Sequence, residues 1–160
     1  MPITPFHFGP GAAIHALAPQ RVSFIAFCAA NVLIDLEPAY YMSTGQFPLH
    51  RFFHTYIGAT LAAFFTVGLF FAARRIPLPN LFGWRNLSTA SVAVGAALGS
   101  YMHVVFDSIM HPDIRPFAPF SNSNPLLTAI PLDTLHLSCV AAGAIGIAIL
   151  LVRKLRDAST

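Results

Sequence analysis

Two runs of nineteen residues, Thr55–Ala73 and Ser88–Phe106, carry no Asp, Glu, Lys or Arg. At 1.5 Å per residue each makes a helix about 28 Å long, which matches the hydrocarbon core of a bilayer. A soluble helical core would show polar faces at helical spacing, and these runs show almost none. Two further apolar segments flank them, Val22–Ile34 and Leu137–Val152. The last is slightly short and extends in from His136, whereas the first, at 13 residues, is short for a full crossing. Only 9% of the 160 residues are charged, against about 25% in soluble domains, and mean hydropathy is +0.66. The expected fold is all-α: one polytopic transmembrane helical bundle over residues 1–160, with about four spans at 22–34, 55–73, 88–106 and 137–152.

Local signals refine this outline. Pro2, Pro5, Pro10 and Pro19 punctuate the N-terminus, and Gly11–Leu17 reads as a short helix ending before Pro19. A re-entrant course, dipping in from the outer face and turning back near Arg21, is one arrangement open to it, and it would return His7 to the side of Asp35. Asp35-Leu36-Glu37-Pro38 is expected to end the first span, because proline interrupts a helix. Residues 112–131 are too polar to cross a bilayer and too long for a simple turn, so an outer loop covering a site is expected there. No charged leader precedes an apolar run, and insertion is expected to rely on the spans themselves. Cys28 and Cys139 lie within apolar spans and read as packing residues.

Charge gives an orientation. Arg21, Arg74, Arg75, Arg85, Arg153, Lys154 and Arg156 fall at one end of the spans, and only Arg51 and Arg115 at the other. The positive-inside rule sets the first group, with the C-terminus, in the cytoplasm. The expected location is an integral position in a membrane, the bacterial inner (plasma) membrane, with the second end facing outward. The basic residues do not interleave with aromatics in a stripe, which argues against nucleic acid as a partner. The bilayer itself is the expected partner.

The outward end is also where the chemistry collects. His103, Asp107 and His111 are four residues apart and stack along one helix face. Asp35, Glu37, His50, His54, Asp113, Asp133 and His136 reach the same layer, and His7 joins them if the N-terminus folds back. Ionisable groups in lipid cost roughly 2.5–3.5 kcal/mol each, so a cluster of them calls for a compensating cation. Helical bundles build metal sites in this way, from carboxylates and imidazoles on facing helices. Asp35 or Glu37 from one helix, His54 from the next and His103 with Asp107 from a third make a mixed N/O site suited to zinc. Each residue also has a plainer reading: His103 with Asp107 as a self-satisfying pair, Asp35 and Glu37 as a solvated helix end, His54 as an interfacial anchor, and His15 and His136 as helix-end histidines. His50 stands beside Arg51, which can bind anionic headgroups, and His111 precedes Pro112 and is able to start the loop instead.

Four stretches occur in a distinctive order: Phe6-His7-Phe8, Val32-Leu33-Ile34-Asp35-Leu36-Glu37, His50-Arg51-Phe52-Phe53-His54-Thr55 and His103-Val104-Val105-Phe106-Asp107. Together they resemble the membrane-bound, metal-dependent hydrolases related to the LexA-regulated inner-membrane proteins. In that family an N-terminal histidine precedes Asp-x-Asp at a helix end, then His-Arg-Gly-x-Thr-His-Ser, then His-x-x-x-Asp. The resemblance covers residues 5–120 and implies His7, Asp35, Glu37, His50, His54, His103 and Asp107 as ligands. Glu37 stands where the family has its second aspartate, Pro38 where a histidine is frequent, and His111 where a threonine is frequent, which makes His111 an added candidate ligand. His50 and His54 are one residue closer than the family pair, a shift of about 100° around a helix. A more distant similarity, in ligand types and order only, is to zinc-dependent phospholipase C.

The function expected from these residues is metal-dependent hydrolysis, with one or two divalent ions, zinc first among them, activating water at the outer membrane–water boundary. Asp35 and Glu37 are the catalytic candidates, Glu37 as general base if it is not a ligand. Arg51 and Arg115 are candidates to clamp a phosphate, so an amphipathic lipid phosphoester or ester is the expected substrate. Two other classes use the same residue types. A metal- or proton-handling transporter or sensor needs titratable groups across the bilayer, and the inner halves of these spans hold none. A non-catalytic scaffold held by His–Asp hydrogen bonds needs no metal.

Overall fold

Serine or threonine stands at the start of each of three long helices, and each caps it. Ser23 Oγ accepts from Ala26 N (3.1 Å), Thr55 Oγ1 from Gly58 N (2.9 Å) and Ser88 Oγ from Ser91 N (3.0 Å), satisfying amides that have no partner within the helix. The computed structural model describes residues 5–159. It contains α1 (Phe8–Leu17), α2 (Phe24–Ser43), α3 (Tyr56–Ala73), α4 (Thr89–Met110) and α5 (Leu132–Ala158), with short 3-10 turns at Pro5–His7, Phe52–His54 and Leu81–Asn86. No strand occurs among the described residues. The expected all-α class is what forms.

Three helices, α3, α4 and α5, are long and apolar enough to cross a membrane. The first expected span takes a different form. It is not a 13-residue segment ended by proline but a 20-residue helix that runs through Pro38 to Ser43. A proline removes one intrahelical bond, and helices in apolar surroundings continue when packing holds both sides; Pro38 is itself buried. α5 likewise extends beyond 137–152 at both ends, with Asp133 in its first turn and Arg156 in its last, each favourable to the helix dipole.

α4 is the centre of the bundle, packing extensively on both α2 and α3. Its contact with α2 is made close by glycine. A Cβ at Gly99 would stand 2.5 Å from Phe27 O, and one at Gly95 would overlap Ser23 O. Small residues four apart let helix backbones approach in this way. At this end Ala26, Ala30, Phe70, Val92 and Ala96 form the buried core.

α1 packs chiefly against α5, and the two run in the same direction: Phe6 stacks on His136 at 4.4 Å, Gly9 meets Cys139, and Ala12 meets Gly146. Ten residues make a helix about 15 Å long, half of a bilayer core. His15 Nδ1 lies 2.7 Å from Val22 O and ties the turn between α1 and α2. Chain direction then reverses, so His7 returns to the level of Asp107. The loop 111–131 is irregular and firmly attached: Tyr56 N donates to Pro116 O (2.9 Å), Thr128 N to Ile109 O (3.0 Å), and Asn124 Nδ2 to Ser108 O (2.9 Å).

Candidate metal centre

The face of α4 that carries Gly95 and Gly99 continues, at the same four-residue step, into His103 and Asp107. Close approach of α2 therefore sets these two side chains against Asn31 and Asp35, one turn apart on α2. His54 ends the 3-10 turn ahead of α3 and enters from the side. Asp35, His54, His103 and Asp107 are all buried, and their ligand atoms lie within 4.8 Å of one another.

The spacing of those atoms is that of a coordination shell. His103 Nε2 is 3.2 Å from Asp107 Oδ2, 3.3 Å from His54 Nε2 and 3.4 Å from Asp35 Oδ1, and His54 Nε2 is 3.3 Å from Asp107 Oδ2. Around a tetrahedral zinc with bonds of about 2.0–2.2 Å, neighbouring donors stand about 3.3–3.6 Å apart. Four of the six donor pairs thus stand near the separations that a tetrahedral ion requires, and all six lie within 4.8 Å.

Asn31 decides which nitrogen of His103 is free. Its Nδ2 donates to Phe27 O (2.9 Å) and Gly99 O (3.3 Å), which leaves Oδ1 facing His103 Nδ1 at 3.0 Å. An amide oxygen only accepts, so the hydrogen of a neutral His103 belongs on Nδ1 and the Nε2 lone pair is directed at two carboxylate oxygens. Such an arrangement is repulsive unless a cation, a proton or a metal ion, lies between them.

His7 stands behind this group. Its Nδ1 is 3.2 Å from His103 Nδ1 and its Nε2 is 3.3 Å from Asp107 Oδ1, the oxygen turned away from the other donors. The second pair is close but not aligned: among the described residues neither atom has a hydrogen-bond partner, and neither does His54 Nδ1. These three buried atoms border the donor set on its outer side, with His54 Nδ1 nearest Glu37 Oε2 at 3.6 Å and His7 Nε2 nearest Asp107 Oδ1. Burial pushes the His7 imidazole down to about 3 despite the opposing Asp107 carboxylate, so it is neutral at pH 7.

A run of five backbone amides supports the site from outside. Leu49 N and His50 N donate to Asp113 Oδ2 (3.1 and 3.2 Å); Arg51 N and Phe53 N donate to Glu37 Oε2 (3.2 and 2.9 Å), and Phe52 N to Glu37 Oε1 (3.0 Å). Each carboxylate also meets a histidine of the same segment through Nδ1, Asp113 with His50 at 2.9 Å and Glu37 with His54 at 3.6 Å. A carboxylate on one ring nitrogen orients the other toward a metal. Burial holds the His50 imidazole below its usual value, with His54 acting in the same sense and Asp113 opposing. For Asp113 burial favours the neutral acid, but hydrogen bonds from the His50 ring and backbone hold its carboxyl below the usual range.

The candidates from sequence therefore separate. Asp35, His54, His103 and Asp107 come together as one donor set, with His7 beside it. Glu37 engages amides 51–53 and the far side of His54, so what it does here is hold that segment. His50 and His111 lie in a neighbouring group completed by Asp113. Arg51 and Arg115 line a cleft of about 590 Å³ that this group also borders. The Arg51 guanidinium lies 3.7 Å over the Tyr41 ring, and Arg115 Nη1 donates to Asn122 Oδ1 at 3.2 Å. Sequence reasoning missed Asn31, although an asparagine one turn before Asp35 in an apolar run is a visible signal. It also left Asp113 out of the site.

Against known proteins, the chain matches no family model, no curated protein and no solved structure.

Proposed function

We propose that this protein is an integral-membrane metal-dependent hydrolase that holds a divalent ion, zinc, between Asp35, His54, His103 and Asp107. One observation carries the reading: four buried donors of the right chemistry stand at coordination spacing, with a lone pair directed at two carboxylates. A divalent ion held at this end of the molecule would supply Lewis acidity and would bring the pKa of water bound to it toward about 7. The chain's own groups do the rest. Asn31 fixes the tautomer of His103, Glu37 and Asp113 hold the backbone amides of residues 49–53, and the 111–131 loop is tied to the first residue of α3 and the end of α4. Arg51 and Arg115 border the cleft, where they suit an anionic group such as a lipid phosphoester.

In this reading α2 is a fourth crossing helix, the seven-residue basic end is cytoplasmic, and the centre faces the outer leaflet of a bacterial inner membrane. The likeness of the ligand order to membrane-bound metallohydrolases supports the same class. The competing reading has a proton as the cation and the cluster as a hydrogen-bonded knot in a scaffold, favoured by the 3.2 Å His103–Asp107 contact at i,i+4. Hydrolysis of phosphoesters and carboxylic esters presented in mixed micelles separates the two. Turnover that a chelator abolishes, zinc restores and His103→Ala lacks is the expected result. A folded, metal-loaded protein inert on every ester offered would end the hydrolase reading.

A further inference from the structure

The buried quartet has a chemical shortcoming as a reaction centre. Four protein donors fill a tetrahedral shell, and closed shells of this kind are typical of structural zinc, whereas catalytic sites keep a position open. The molecule holds a second donor group with the opposite character. His50 precedes the 3-10 turn before α3, His111 caps the C-terminus of α4, and Asp113 follows two residues on; their ligand atoms also lie within 4.8 Å of one another. His50 Nδ1 and Asp113 Oδ1 are 2.9 Å apart, and the His50 and His111 rings stack at 4.4 Å between centroids.

We infer that His50, His111 and Asp113 form a second, open divalent-cation site, and that this site rather than the quartet meets the substrate. Two imidazoles and one carboxylate are a ligand set that first-row divalent ions accept with positions left for water or substrate. The Asp113 carboxylate is already oriented, because its Oδ2 is held by the amides of Leu49 and His50, which aims Oδ1 at the histidine. His50 is buried, and its ring stands at the inner edge of the cleft. His50 and Asp113 both line the cleft of about 590 Å³, together with Arg51 and Arg115. None of the four quartet residues does. The His50 and His54 rings touch at 4.6 Å, so the two donor sets are neighbours joined through the 50–54 segment.

A division of labour follows. The quartet is an anchor that ties α2, α4 and the 50–54 segment together; the trio offers its ion to an anionic group that Arg51 and Arg115 receive in the cleft. The substrate class is then a phosphoester, whose phosphate Arg51, Arg115 and an ion held by the trio would together suit. This inference rests on the metallohydrolase reading above, yet it can fail alone.

The test is a cobalt(II) titration of the detergent-purified, chelator-stripped full chain, read by visible absorption and elemental analysis, beside His111→Phe, Asp113→Asn and Asp107→Asn. His111→Phe keeps a ring to stack on His50 and removes the donor nitrogens. Wild type is expected to take up two equivalents. His111→Phe and Asp113→Asn are expected to take up one, with the quartet's spectrum retained as proof of fold, and to lose phosphodiesterase turnover by about a hundred-fold or more, beyond the roughly 10–100-fold typical of outer-shell partners. One equivalent in wild type, unchanged in His111→Phe, overturns the second site and leaves the quartet standing. Two equivalents that survive both His111→Phe and Asp113→Asn overturn it equally. No uptake at all overturns both this site and the function on which it rests.

Discussion

One face of α4 carries two different instructions. Its first half, Ser91, Gly95 and Gly99, offers almost no side chain, and its second half, His103 and Asp107, offers ligands. The first half lets α2 approach until backbone meets backbone, as the space at Gly99 requires. The second half uses that approach: Asn31 and Asp35 on α2 reach His103 only because the helices are already that close. Packing in one region is thus the source of positional accuracy in the other. A metal site needs donors placed to a few tenths of an ångström, and the glycine contact supplies the placement without contributing an atom to the site.

Substitutions in the two halves should separate stability from metal affinity. The largest loss of affinity is expected for Asp107→Asn, which removes a charge from the donor set contacted by His54 and His103; the buried ion should be held at least about a hundred-fold more weakly in competition with a fluorescent chelator. Asn31→Leu removes the group that fixes the His103 tautomer, and about a 10–100-fold loss of affinity is expected with Tm nearly unchanged. Gly99→Leu is expected to lower both. It forces α2 from α4 at a cost of about 1–3 kcal/mol, seen as a lower Tm in detergent, and it weakens ion binding as well, because Asn31 and Asp35 move away from His103 with α2. The smallest effect on the site is expected for Val92→Ala in the apolar end, about 1–2 kcal/mol of stability with metal content unaltered. If Gly99→Leu left both Tm and affinity at wild-type values, the proposed coupling between the halves would be wrong.

The sequence carried some of this directly. His103 and Asp107 announce a shared helix face by spacing alone, and the absence of charge from 55–73 and 88–106 announces their surroundings. The capping residues Ser23, Thr55 and Ser88 mark helix starts within a residue or two of the expected positions. Other features needed the third dimension. Pro38 reads as a terminator, but the helix continues because tertiary packing outweighs one lost hydrogen bond. Glu37 reads as a base or ligand, and whether its oxygens meet an ion or amides 51–53 depends on how the 48–53 segment lies against α2, which no local pattern encodes. Asp113 sits in a loop without periodicity, so nothing in its neighbours reveals that it faces His50. Gly95 and Gly99 were not singled out from the sequence, and their role shows only beside Ser23 and Phe27.

The most direct measurement is the metal content of the detergent-purified protein, by elemental mass spectrometry, with a folded His103→Ala variant alongside. At least one divalent transition-metal ion per chain in wild type, and one fewer per chain in the variant, is the result this account expects. A wild-type protein that is metal-free as purified and takes up none when zinc is added back would contradict it, and would leave a proton as the cation between His103 and its two carboxylates.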